Sequence, residues 1–287
     1  MHRRHPSFRL RALLAAVPVA GLVLMGTVGT ASAAHTPANS QAALRLAVQR
    51  LLAHWHPTNH AVVHISLKQV TSTNWSGYAD TGSGFSTVTA KWTEPKVSNC
   101  SATGPLKAVV FWVGIDGFSS NSVEQDGTLA ICGQGFGALT YFTWWEMFPT
   151  NSIQPVGSTV KPGDKISASV VRSGTKYTLK VTDSATPGNS FSTTQTCKVS
   201  GGCKNSSAEW IGERPSSGST KLPLAKFSTW TVTAATVKAG SKSGTIKSFT
   251  DDEITMINNN TAKKVLAKPG ALNSAGNSFK DVWKASS

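Results

Sequence analysis

From Asn74 to the C-terminus the chain is built of short runs of β-formers separated by Gly, Pro, Ser and Thr, with no helical periodicity between them. That pattern leaves no room for a helical bundle or for alternating βαβ units. Residues 108–113 are continuously apolar, as a strand buried on both faces would be. Residues 165–171 and 177–182 alternate with period two on either side of Ser173-Gly174 and read as a hairpin. Residues 227–237 and 278–283 supply further strands. Many strands at short spacing imply an antiparallel sandwich or barrel. No internal repeat or linker divides residues 71–287, which read as one domain.

The N-terminal quarter is different in kind. Residues 1–33 have the form of a secretory signal: Arg3, Arg4, Arg9 and Arg11, an apolar stretch over 13–28, then the small residues Ala31-Ser32-Ala33. No later stretch is apolar enough to span a bilayer, so the expected product is exported, with no membrane attachment once the signal is gone. Residues 34–70 hold a short amphipathic helix, with Leu44, Val48, Leu51 and Leu52 on one face, followed by a His-rich stretch. This segment, free of acids, reads as a pro-segment.

All seven histidines (2, 5, 35, 54, 56, 60 and 64) precede residue 65, and all fourteen acids follow it. A domain starting near residue 71 therefore has no histidine. Ser-His-Asp and Cys-His nucleophilic machinery is excluded, as are the usual His-based zinc sites, so no metal or cofactor is expected. The domain has 21 Lys/Arg against 14 Asp/Glu, a net of +7. Its lysines are dispersed, which argues against a nucleic-acid partner. The domain is expected to be a monomer.

Four cysteines in an exported chain suggest two disulfides, with three pairings possible. Cys197 and Cys203 enclose the Gly201-Gly202 turn and are expected to join, leaving Cys100 to pair with Cys132. Several tryptophans stand near acids, in Trp112-Val-Gly-Ile-Asp116, Trp144-Trp145-Glu146 and Glu209-Trp210. Such repetition suggests a cleft lined by rings and carboxylates, with Asp116, Glu124, Asp126, Glu146 and Glu209 facing it.

Five blocks in order resemble the glutamic peptidases, or eqolisins (peptidase family G1, also catalogued as A4). They are Asn74-Trp-Ser-Gly-Tyr78, Phe111-Trp-Val-Gly-Ile-Asp-Gly117, Val123-Glu-Gln-Asp-Gly-Thr128, Trp144-Trp-Glu-Met-Phe-Pro149 and Ser207-Ala-Glu-Trp-Ile211. The resemblance implies an all-β fold, a concanavalin-like antiparallel double-sheet β-sandwich. It also implies peptide hydrolysis by a Gln/Glu dyad, insensitive to pepstatin. Residue by residue, the dyad falls on Gln125 and Glu209, while Trp75, Asp116, Trp144 and Glu146 line or support the cleft. A carboxylate can deprotonate water and return the proton to the leaving nitrogen. An amide N–H can donate to the developing oxyanion. A carboxylate base stays ionised in acid where histidine would be protonated. Two rival readings remain at this level. One is a carbohydrate-binding or glycoside-hydrolysing sandwich using Glu146 and Glu209 as its acid pair; the other is an inactive surface-binding module.

Overall fold

In the strand Lys165–Ser173 every second side chain (Ile166, Ala168, Val170) is buried, and its partner Lys176–Asp183 buries Tyr177, Leu179 and Val181. The two pair antiparallel around Gly174, whose φ of 61° suits a tight reversal, so the expected hairpin is present. The structure is a computed structural model that describes residues 38–52, 63–66, 69–217, 219–258 and 263–287. The expected signal at 1–33, His35, His54, Trp55, His56 and His60 lie outside the described residues.

The hairpin belongs to one layer, in the order Phe191–Thr196, Lys176–Asp183, Lys165–Ser173, Phe85–Thr93 and Trp230–Ala239. A second layer runs Asn151–Pro155, Gly137–Phe148, Val123–Gly133, Lys107–Ile115, Ser207–Glu213, Trp75–Thr81 and Thr250–Ile257. All these pairings are antiparallel, as an antiparallel sandwich requires. One pairing departs from the expectation: Gln69–Ser72 runs parallel to Thr250–Ile257. The chain reverses just after it, where Ser72 Oγ accepts the backbone N–H groups of Asn74 and Trp75.

Residues 227–237, read as one strand, are two. Lys226–Phe227 pairs with Val97–Ser98, and Trp230–Ala239 then links the layers. The first part of this longer strand pairs with Phe279–Trp283. Its later part pairs with Phe85–Thr93 across a register shift between Thr233 and Thr236 that contains Ala234 at φ 50°. A bulge of this kind bends a strand enough to serve both sheets.

The apolar faces meet between the layers, where Trp92, Phe111, Trp230 and Phe279 pack ring against ring. The outward face of the second layer carries its own apolar cluster, with Trp75, Trp112 and Trp144 fully buried. What covers part of it is the expected N-terminal helix, Ala38–Leu51: Val48 and Leu52 are fully buried in the same cluster. Gln49 Nε2 also donates to Gln154 Oε1 on the edge strand at 3.0 Å. Both expected disulfides are present, Cys100–Cys132 and Cys197–Cys203.

Candidate active site

Three antiparallel pairings bring four residues into one line across the second layer. Glu209 is opposite Gly114, Gly114 is opposite Gln125, and Gln125 is opposite Glu146. Directly opposed residues in antiparallel strands point to the same face, so all four share the helix-covered face with Trp112 and Trp144. The strands Val123–Gly133 and Ser207–Glu213 are buried along their whole length. Gln125, Glu146 and Glu209 are fully buried.

Gly114 is the member of the line without a side chain. Strands stand about 4.8 Å apart, so the backbones at Glu209 and Gln125 are separated by about 10 Å, with Gly114 as the floor between them. A Cβ there would come within 2.8 Å of the Trp112 ring and 3.3 Å of the Gln125 Cβ. The glycine keeps the space between the two functional groups free.

Gln125 Nε2 donates to Glu146 Oε2 at 2.7 Å. That bond turns the amide nitrogen toward Glu146 and leaves the second N–H and Oε1 available; Oε1 has no partner among the described residues. Burial drives the Glu146 carboxyl well above the usual carboxylate range; the Gln125 bond opposes this and the nearby Glu213 reinforces it. Burial likewise raises Glu209 strongly. The Ser207 hydroxyl and the Phe118 N–H favour its charged form, while Asp116 and Glu124 disfavour it. Neither Glu209 oxygen makes a well-formed hydrogen bond among the described residues.

Asp116 supports the site from a turn. Its φ of 70° aims the carboxylate back at the segment entering the Glu209 strand, where it accepts N–H bonds from Asn205 (2.7 Å) and Ser206 (2.8 Å) and the Ser206 hydroxyl (3.0 Å). Trp75 packs edge-on against Trp112, with ring centroids 5.0 Å apart. Trp75 and Trp144 thus line the same face as the dyad candidates.

Two of the acids expected in the cleft are elsewhere. Glu124 and Asp126 flank Gln125 in its strand, and the period of two turns both to the inner side, between the layers. Asp126 Oδ2 there accepts the N–H of Lys180, in the facing layer, at 2.6 Å. Conversely, Glu213 was not singled out from the sequence. It is fully buried and accepts from Trp112 Nε1 and Asn74 Nδ2, both at 2.9 Å. Its spacing of four from Glu209 in a strand was the available signal, since it sets both on one face.

Comparison with known proteins identifies the family. Residues 73–276 match the model of the Peptidase A4 family. Aspergillopepsin-2 of Aspergillus niger is 28% identical over 185 residues, covering 59% of this chain and 65% of that protein. Scytalidopepsin B of Scytalidium lignicola is 31% identical over 151 residues, covering 52% and 55% respectively. The chain thus spans less than two thirds of the length of these curated relatives. Among solved structures, scytalido-glutamic peptidase with a peptide-based transition-state analogue superposes with a TM-score of 0.61 at 26% identity, covering 74% of this chain and 98% of that one. Aspergilloglutamic peptidase from A. niger gives 0.52 at 25% identity, covering 62% and 99%.

Proposed function

Because this chain belongs to the peptidase A4 family of glutamic peptidases, we propose that it is a secreted, acid-acting endopeptidase whose dyad is Gln125 and Glu209. The observation that carries this reading is the register line Glu209–Gly114–Gln125–Glu146, which sets a carboxylate and an amide on either side of a side-chain-free floor. A peptide carbonyl over Gly114 lies between a base and an oxyanion donor. Glu209 takes a proton from the attacking water and returns it to the leaving nitrogen. Gln125 donates its free N–H to the oxyanion, a contribution of about 2.7–4 kcal/mol for one such donor. Glu146 acts through Gln125, holding its amide in the donating orientation. The glycosidase reading needed Glu146 as a free partner for Glu209; here that carboxylate is engaged by Gln125 at 2.7 Å.

The same reading makes residues 34–70 a pro-segment. Its helix buries Val48 and Leu52 on the dyad face. On that face burial raises the Glu209 carboxyl well above the usual carboxylate range, which weakens it as an ionised base. Removal of the helix would open part of this face to water, and any water reaching Glu209 would bring its pKa down. Strand Gln69–Ser72 crosses the expected boundary at 70/71 and is paired into the sandwich. A cut upstream of residue 63 preserves that strand.

The test is digestion of a denatured protein in acid by the purified chain, with pepstatin present. We expect cleavage by the parent and none by Glu209→Gln. Equal cleavage by both would sink the dyad, and pepstatin inhibition would point to an aspartic mechanism.

A further inference from the structure

All fourteen acids of the chain lie among the described residues. Twelve are buried, and the other two, Asp251 and Glu253, are half-buried. The lysines are distributed the opposite way, and most are exposed. The sandwich keeps its carboxylates inside and presents cations outside.

The outward face of the first layer concentrates this asymmetry. Cross-strand register brings Lys91, Lys165, Lys176, Lys180 and Lys238 onto that single face. The positions between them are almost all Ser or Thr. Thr89 meets Thr236 at 2.6 Å and Thr178 meets Thr194 at 3.0 Å, so hydroxyls run in rows across five strands. At one end a shallow cavity of about 580 Å³ includes Lys91, Lys165, Ser167, Thr182 and Thr233 in its lining. No strand position on this face carries a carboxylate, because alternation sends Asp183 to the buried side; Glu94, which also lines the cavity, is itself buried. The opposite side of the sandwich holds the dyad candidates.

We propose that this face binds an extended anionic polysaccharide. Charge complementarity selects an anion, and five lysines spread over four strands match a repeating charge better than a single one. The hydroxyl rows can donate to and accept from sugar hydroxyls between the anionic groups. No exposed aromatic ring stands on the face to stack a nucleobase, Trp92 in the cavity lining being buried, and Val171 is its one large exposed hydrophobic, too little to anchor in a lipid surface. A polymer held here leaves the dyad side free, so the peptidase stays open to substrate while bound.

The test is retention of the full-length chain on dextran sulfate, on uncharged dextran and on vesicles containing an anionic phospholipid. Two triple variants remove equal charge: Lys91→Gln/Lys165→Gln/Lys180→Gln on the face, and Lys107→Gln/Lys263→Gln/Lys264→Gln beside the strands of the second layer. We expect binding to dextran sulfate only, weakened roughly tenfold by the face triple, with a flatter salt dependence, and little changed by the other. Cleavage of a short soluble peptide should be the same in all three proteins. Equal loss in both triples would reduce the effect to net charge. Unchanged binding by the face triple, or retention on vesicles but not on dextran sulfate, would overturn the proposal.

Discussion

Gln125 donates its side-chain amide to Glu146 across one strand pair at 2.7 Å, while two strands away from it Glu209 lies buried without a well-formed hydrogen bond among the described residues. One member of the proposed dyad is held and the other is free to accept. That asymmetry is what a donor of fixed orientation and a mobile proton acceptor require.

Glu146 is therefore expected to act on turnover rather than on binding. Glu146→Ala should lower kcat by about 10²-fold, approaching the cost of losing an oxyanion donor, with KM little changed. Glu146→Gln can still accept from Gln125 through its own carbonyl oxygen and should retain much more. Steady-state kinetics on one peptide decide this. Equal, complete loss in both variants would instead assign proton transfer to Glu146.

Gly114→Ala probes the floor between the dyad members. The new methyl would meet the Trp112 ring at 2.8 Å, so a stability loss of about 1–3 kcal/mol is expected from overpacking. Activity should fall more than tenfold beyond what unfolding explains, because the methyl occupies the space assigned to the scissile bond. A folded variant with parental kcat/KM would mean that the reacting group sits elsewhere.

The helix offers a separate handle. Val48→Asp/Leu52→Asp puts two charges against a fully buried apolar cluster, at a cost of several kcal/mol each if the helix stays in place. The unprocessed double variant should cleave a peptide without a lag, whereas the parent should show one. If both show the same lag and rate, the helix does not restrain the site.

Stability should be greatest in acid. Burial raises Asp80 from its ordinary 3.8 to about 9, Glu94 from 4.5 to about 8 and Asp281 from 3.8 to about 7. Each folded-state value exceeds the unfolded one, so the folded chain holds protons that the unfolded chain releases. The stability they contribute is fully present below about pH 4 and is lost as the pH rises through 7 to 9. Thermal melts should show Tm falling from pH 4 to pH 8, with a shallower fall in Asp80→Asn. A Tm that climbs over that range would contradict the sign.

The amino-acid order alone determined a good deal here. Alternation in 165–182 is a local property, so the hairpin could be read directly. A sequence separation of 6 around a Gly-Gly turn favoured Cys197–Cys203, and the helix face at Leu44, Val48, Leu51 and Leu52 was readable from its spacing. The absence of histidine after residue 65 excluded whole mechanisms without any coordinates.

Other features were decided only by the tertiary structure, because they depend on partners far apart in the chain. Period two says that Gln125 and its neighbours Glu124 and Asp126 point to opposite faces. Only the stacking of the layers decides which face is the inner one. Glu213 is a solitary acid until folding brings Asn74, 139 residues away, within hydrogen-bond reach. Dispersed lysines become one cationic face when four strands align in register, and the acids become interior groups when the layers close. Sequence spacing determines where a side chain points relative to its own strand; the packing of strands against one another decides what it meets.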